Sequence, residues 1–280
     1  MDRNKTVDII YDFAKDVRKM ALDMAISSGR NGAHIGGSFS SIEILSVLYG
    51  AILNYDIKNP EWEERDRFIP SKTHCILAHF PALARAGFIE EKDLNSFHDD
   101  GGMLAGHPWN KQIGLEFAGG SLGMGLSVGI GMALRAKRYN KSPKVYVLLG
   151  DGESNEGSVW EAVMSAAQYG LDNLVAIFDY NNMQFDGPND NIMSLSPLSE
   201  KLKAFGWKAL DVNGHSIEEL LDAFDTKHSG QPLAIIAHTV KARGIPSLEN
   251  QAKSHHSSLS REDYDLVMKD ISEGKYDRVQ

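Results

Sequence analysis

Val145-Tyr146-Val147-Leu148-Leu149-Gly150-Asp151-Gly152-Glu153 is the stretch whose reading decides the fold. Its first five residues are apolar, enough for one strand buried on both faces of a parallel sheet. The run passes directly into Gly-Asp-Gly, where the backbone can approach a ligand closely and a carboxylate is held at the strand's end. From about 154 to 169, Val159, Trp160, Val163, Ala166 and Ala167 recur at three- and four-residue intervals, which predicts a helix ended by Gly170. Leu174-Val175-Ala176-Ile177-Phe178-Asp179 predicts the next strand, and Tyr180-Asn181-Asn182 follows it. Strand, helix, strand is a right-handed crossover unit. It brings Asp151 and Asn181 to the carboxyl ends of two parallel strands, where open α/β sheets bind ligands.

A carboxylate and an amide oxygen beside glycine amides suit a hard divalent cation clamped to phosphates. Magnesium takes octahedral oxygen ligands, one or two from protein and the rest from phosphate and water. Each residue also has a plainer reading: Asp151 caps the next helix and Asn181 opens a turn. Together they resemble a known signature. Gly150-Asp151-Gly152 followed by Asn181-Asn182, 30 positions from the Asp to the first Asn, resembles the thiamine-diphosphate/Mg motif. Gly-Asp-Gly-Glu-Ser-Asn-Glu-Gly-Ser-Val-Trp-Glu-Ala at 150–162 resembles transketolases in particular. The resemblance implies Mg2+ (or Ca2+ or Mn2+) held by Asp151, Asn181 and the main-chain carbonyl of Met183. It further implies that Gly150 and the Gly152 amide lie at the cofactor and that Glu156 helps hold the contact between subunits there.

Upstream, residues 4–28 predict an amphipathic helix with Val7, Ile10, Phe13, Ala14, Val17, Ala21 and Met24 on one face. Ala33-His34-Ile35-Gly36-Gly37-Ser38 follows as a glycine-rich loop, and Ser40 or Ser41 is placed to cap a helix through about residue 54. A loop histidine is ordinarily solvated. Here His-x-Gly-(x)3-Ser-(x)2-Glu-Ile-Leu-x-Val-Leu-Tyr resembles the transketolase N-terminal motif, which implies that His34 contacts the sugar near its reacting carbon. Asp66-Arg67-Phe68-Ile69-Pro70-Ser71-Lys72-Thr73-His74-Cys75 predicts a short strand leading into a helix start, where main-chain amides favour an anion. It resembles the family's Asp-Arg-Phe-x-x-Ser-Lys-Gly-His segment, implying that His74 reaches the cofactor diphosphate; Thr73 stands where the family has glycine.

In Gly106-His107-Pro108 the proline biases His107 to extended geometry. Beside the reading as an ordinary loop His-Pro, the resemblance implies a second substrate-contacting histidine, with Trp109 where relatives commonly carry an acidic residue. Gly119-Gly120-Ser121-Leu122-Gly123-Met124-Gly125 lacks the spacing of a dinucleotide fingerprint. It resembles Thr/Ser-Gly-x-Leu-Gly-Gln-Gly, which implies Gly120 and Leu122 at the cofactor, Leu122 on its aminopyrimidine; Met124 replaces the glutamine. Gly125, Gly129, Gly131 and Ala133 give the next helix a smooth face, read as inter-subunit or core packing. Downstream, residues 198–205 and 217–226 predict helices, the second capped by His215-Ser216, while 207–212 and 233–237 predict strands. Thr239-Val240-Lys241-Ala242-Arg243-Gly244 resembles the loop that closes over a transketolase active site. The family's last site histidine falls on His255, with His256 beside it as the alternative. The charged stretch from Lys269 reads as a solvated terminus.

The 280 residues suffice for one domain over 1–280, beginning with a helix over 1–30 and ending in a tail over 270–280. The expected class is α/β, a three-layer open parallel sheet flanked by helices in the thiamine-diphosphate-binding fold. A net charge of −9 argues against a nucleic-acid surface. No apolar run reaches the roughly 18 residues of a membrane span. A single cysteine excludes an internal disulfide framework and fits a reducing cytoplasm; Cys75 reads as a small buried residue rather than a nucleophile. The resemblance covers essentially the whole chain but less than half of a full-length transketolase. The family's proton-removing glutamate and sugar-phosphate ligands belong to a following pyrimidine-binding domain. The expectation is one subunit of a split transketolase, moving a two-carbon ketol unit from a ketose to an aldose, with His255 as a polar or proton-transfer group. Its partner would be a separate chain with pyrimidine-binding and C-terminal domains, in a heterotetramer. A different thiamine-diphosphate enzyme half, for an unusual sugar or a deoxyxylulose-phosphate-synthase-like reaction, stands as an alternative, as does a non-catalytic scaffold.

Overall fold

The computed structural model describes residues 2–99, 104, 110 and 113–278. Its centre is one five-stranded sheet made of β1 (Arg67–Pro70), β2 (Val145–Gly150), β3 (Leu174–Tyr180), β4 (Lys208–Asn213) and β5 (Leu233–His238). The spatial order is β1-β2-β3-β5-β4 and every pair is parallel. Successive side chains of the apolar run in β2 point to opposite faces. Val145, Val147 and Leu149 enter one core while Tyr146 and Leu148 enter the other. This two-sided burial is why the strand reads as an unbroken apolar stretch.

Helices cover both faces. In chain order they are α1 (Arg3–Ser27), α2 (Ile35–Phe39), α3 (Ile42–Val47), α4 (Ile76–Ala86), α5 (Gly125–Arg138), α6 (Gly157–Gln168), α7 (Asn189–Ile192), α8 (Leu198–Ala204), α9 (Ile217–Phe224) and α10 (Arg261–Ser272). α5, α6 and α8 pack on one face of the sheet, and α1, α3, α4 and α9 on the other. A Cβ on Gly129 would lie 2.6 Å from Val147 Cγ2, so the glycine is what lets α5 approach β2. Of the two readings of that smooth face, core packing holds for Gly125, Gly129 and Ala133, which are buried, whereas Gly131 is exposed. Among the described residues, no helix is long and apolar enough to cross a membrane. Cys75 is buried and its thiol is pushed up to about 12 by burial, which makes it an inert core residue.

Three local expectations are corrected. The helix expected from 154 begins with a 3-10 turn, Gly152–Asn155, and α6 proper starts at Gly157. The Trp160 indole N–H donates to the Ser154 carbonyl at 3.0 Å and so stitches turn to helix. Ser40 and Ser41 do not cap: Ser40 Oγ donates to Asp179 at 2.6 Å and Ser41 Oγ to the Gly37 carbonyl at 2.8 Å. The segment read as one helix to about 54 is instead α3 and a π-helical turn, Leu48–Ile52, while α2 occupies the stretch read as a glycine-rich loop. Nor is the charged tail merely solvated. Arg278 pairs with Asp8 at 3.1 Å and Glu218 at 3.4 Å, and Tyr276 lies over Arg18. By contrast Ser216 does cap α9, accepting from the Glu219 amide at 3.2 Å.

Candidate functional site

Loops leaving the carboxyl ends of β1, β2, β3 and β5 meet around a cavity of about 290 Å³. His74, Asp151, Asn181 and Lys241 reach it from those four loops, with His255 from farther along the chain and Leu122 from the turn before α5. Gly150, Gly152, Glu156 and Met183 also line it. His107 and Trp109 lie outside the described residues.

Asp151 is 2% exposed. Its Oδ1 accepts from the Gly152 amide at 2.8 Å, which is the capping role. The same bond engages the N–H of Gly152, a residue that lines the cavity. Oδ2 is buried with no hydrogen-bond partner among the described residues. Burial, and next the charge of Asp179, push the carboxyl up to about 6. An unpaired buried carboxylate oxygen is costly, and a cation relieves that cost. Asn181 is held beside it: its Nδ2 donates to Asp179 at 3.4 Å and its Oδ1 accepts from the Met183 amide at 3.1 Å. Among the described residues, no cluster of three or more His, Cys, Asp or Glu side chains could hold a metal. One carboxylate with amide and carbonyl oxygens suits a hard cation completed by phosphate and water.

The opposite wall carries His74, His255 and Lys241, and His34 packs against the two histidines without being among the lining residues. The rings of His34 and His74 lie 5.8 Å apart, those of His34 and His255 5.4 Å, and those of His74 and His255 5.3 Å. Burial, then the charge of Lys72, holds His74 well below the usual imidazole range. Burial, then Lys241, pushes His255 down to about 4. Both are neutral hydrogen-bonding groups at pH 7. His256 is exposed and sits edge-on to His34 at 4.8 Å without lining the cavity.

Four residues that sequence reading passed over organise the site. Lys72, 1% exposed, pairs with Asp179, 0% exposed, and donates to the Gly37 carbonyl at 2.8 Å and Ser41 Oγ at 3.2 Å. Burial alone would raise the Asp179 carboxyl, but the Lys72 charge and hydroxyl donors bring it below its ordinary value. Thr239 Oγ1 also donates to Asp179, so this one carboxylate ties the ends of β1, β3 and β5 to the loop before α3. Glu153, 3% exposed, accepts from the Gly150 amide at 3.0 Å, the Gly123 amide at 2.9 Å and the Ser71 hydroxyl. It fixes the Gly-Asp-Gly turn against the loop carrying Leu122, while Glu156 is exposed at the rim and Gly120 is exposed off the cavity. Lys241 Nζ donates to the Gln184 carbonyl at 2.8 Å, across the mouth; burial pushes its amine down to about 8, opposed by Asp151.

Thr73, the departure noted in sequence, has a neighbour that explains its tolerance. A Cβ on Gly119 would lie 2.1 Å from Thr73 Cγ2, so the threonine occupies the room beside that glycine. Gly119→Ala is expected to destabilise the chain by about 1–3 kcal/mol, and Thr73→Ala to restore most of it. A urea double-mutant cycle checks this; additive effects would contradict the contact.

Residues 10–273 match the family model described as the transketolase thiamine diphosphate binding domain. The chain is 40% identical over 242 residues to one of the subunits of the apulose-4-phosphate transketolase of Phocaeicola vulgatus, covering 86% of each. It is 38% identical over 253 residues to the 6-deoxy-6-sulfo-D-fructose transketolase subunit SqwG of a Clostridium species, covering 89% of this chain and 91% of that one. The transketolase structure from Campylobacter jejuni superposes with a TM-score of 0.86 at 31% identity, over 94% of this chain but 43% of that chain. The chain thus spans less than half of that solved protein. A parallel sheet with this cavity at its carboxyl edge, and a family match over nearly all of the sequence, place the chain in the transketolase family as its thiamine-diphosphate-binding domain.

Proposed function

We propose that this chain is one subunit of a two-chain transketolase that moves a two-carbon ketol unit from a ketose to an aldose. The carrying observation is the buried, unpartnered Asp151 Oδ2 facing a cavity walled by Lys241, His74 and His255. Asp151, Asn181 and the Met183 carbonyl would hold Mg2+. His74 and Lys241 would hold the diphosphate, joined by the Gly152 amide once it releases Asp151. Leu122 offers an apolar face to the cofactor's ring system. Thiamine diphosphate, when bound, supplies the thiazolium carbon nucleophile for breaking and forming a carbon–carbon bond beside a carbonyl.

The chain's own contribution is binding and proton management. His255, neutral at pH 7, and His34 can donate to and accept from sugar hydroxyls, with His107 proposed as a third contact. Burial is the larger cause that lowers His255, and an anion beside Lys241 would weaken only the charge repulsion that comes second. The relatives named as subunits, and the 43% coverage of a longer transketolase, support a partner chain with the remaining domains, and the assembly proposed for the pair is a heterotetramer. The single, buried Cys75 suits a reducing cytoplasm.

Ketol transfer assayed with Mg2+ and thiamine diphosphate, using this chain alone and with a candidate pyrimidine-domain chain, tests the proposal. Activity is expected only in the mixture. Activity from this chain alone would contradict the two-chain reading, and failure to bind cofactor in either would favour a scaffold.

A further inference from the structure

Lys241 reaches the cavity from a turn held on both sides by one buried relay. Arg18 of α1, 1% exposed, donates through Nη1 to the Arg243 carbonyl at 2.7 Å and through Nη2 to Glu43 Oε1 at 2.6 Å. The other oxygen of Glu43 lies 2.8 Å from His215 Nδ1. The Val240 amide donates to His215 Nε2 at 2.8 Å, so Nδ1 carries the imidazole proton and donates to Glu43. Val240 and Arg243, the two backbone anchors, bracket Lys241 and Ala242.

The bracketed turn is closed by the Arg243 N–H donating to the Val240 carbonyl at 3.1 Å and tied to its neighbours by the Ala242 N–H on the Gly36 carbonyl and the Asn250 N–H on the Lys241 carbonyl, both at 3.0 Å, and it is strained. Ala242 has φ +57, a left-handed conformation that costs a non-glycine residue roughly 1–2 kcal/mol. Ala242 is fully buried, and a cavity of about 630 Å³ borders the outer side of the relay. The Tyr276 ring lies 4.5 Å from the Arg18 guanidinium carbon, and its hydroxyl donates to the Gly244 carbonyl at 3.4 Å. Lys15–Asp277 at 2.6 Å ties that outer segment to α1.

We infer that Arg18, Glu43 and His215 are positioning residues that set Lys241 over the cofactor's diphosphate, with Tyr276 as the outer clamp. The inference rests on the proposed placement of the cofactor. Had the relay served only to join α1, α3 and α9, loosening it would lower global stability without a local effect on the turn. Positioning predicts a local effect and a split between affinity and turnover.

Hydrogen exchange on the whole chain, wild type against His215→Ala, gives the first readout. Amides of residues 240–244 are expected to exchange about tenfold faster, the loss of one hydrogen bond to a loop, with β2 and α6 unchanged. In the two-chain enzyme the KM for thiamine diphosphate is expected to rise by about the same factor while kcat stays within about twofold. Tyr276→Ala should act in the same direction, and Tyr276→Phe, which keeps the ring on Arg18, should lie near wild type; these two serve if His215→Ala does not fold. Unchanged exchange at 240–244, or faster exchange with unchanged cofactor KM, would overturn the inference. A wild-type enzyme that shows no dependence on thiamine diphosphate would overturn the placement of the cofactor instead.

Discussion

Replacing Asp151 with asparagine is expected to abolish metal-assisted cofactor binding while making the empty chain more stable above pH 6. The carboxyl is raised from its ordinary 3.8 to about 6, first by burial and then by Asp179. A folded-state value above the unfolded one means that the native chain binds the proton more tightly. The group therefore costs nothing below about pH 4, and its penalty grows to about 3 kcal/mol above about pH 6. Asparagine removes the charge yet keeps an oxygen to accept from Gly152. Urea unfolding of the metal-free proteins at pH 4.5 and pH 8 should show a gap that opens with pH in favour of Asp151→Asn. The same change deletes the proposed anionic metal ligand and should weaken Mg-dependent cofactor binding by about 100-fold or more, as when one partner of a buried charge pair is lost. A variant less stable than wild type at pH 8 would mean that Asp151 is satisfied without a cation.

Lys72→Met is expected to have the largest effect on the fold itself. It strands Asp179, which is 0% exposed, and breaking a buried pair by removing one partner costs about 3–5 kcal/mol. The hydroxyls of Ser40 and Thr239 still donate to the carboxylate, but they cannot neutralise it. Adding Asp179→Asn should recover most of the loss, because replacing both charges is far less costly than orphaning one. The recovered double variant should still bind cofactor poorly, since Asp179 also orients Asn181. Thermal unfolding of both singles and the double provides the check. A Lys72→Met chain as stable as wild type would show that the pair does not hold the strand ends together.

The parts of the fold written in single elements were legible. β2 and β3 announce themselves as apolar runs because both faces are buried, and the Gly-Asp-Gly turn fixes where β2 ends. Legibility falls where a residue's role depends on what the fold brings beside it. Ser40 and Ser41 sit where caps belong, but Asp179 and Gly37 claim their hydroxyls. Lys72 and Asp179 lie 107 positions apart and each passes for an ordinary charge until the sheet pairs them. A charged residue near the end of an otherwise apolar strand was the one available hint for Asp179. Glu153 and Glu156 share one short turn, and only the backbone path shows that the first is buried while the second faces solvent. His255 and His256 are equivalent in sequence, and the turn Ala252–His255 is what sends the first toward the cavity.

In the proposed function, the cavity at the carboxyl edge of β2 and β3 holds a diphosphate through a divalent cation on Asp151. Anomalous diffraction from crystals of the two-chain enzyme grown with Mn2+ and thiamine diphosphate tests it most directly. One manganese peak is expected in direct contact with the Asp151 carboxylate and the Asn181 side chain, with diphosphate density between it, His74 and Lys241. Thiamine diphosphate bound with the metal elsewhere, or with its diphosphate away from Asp151, would contradict it.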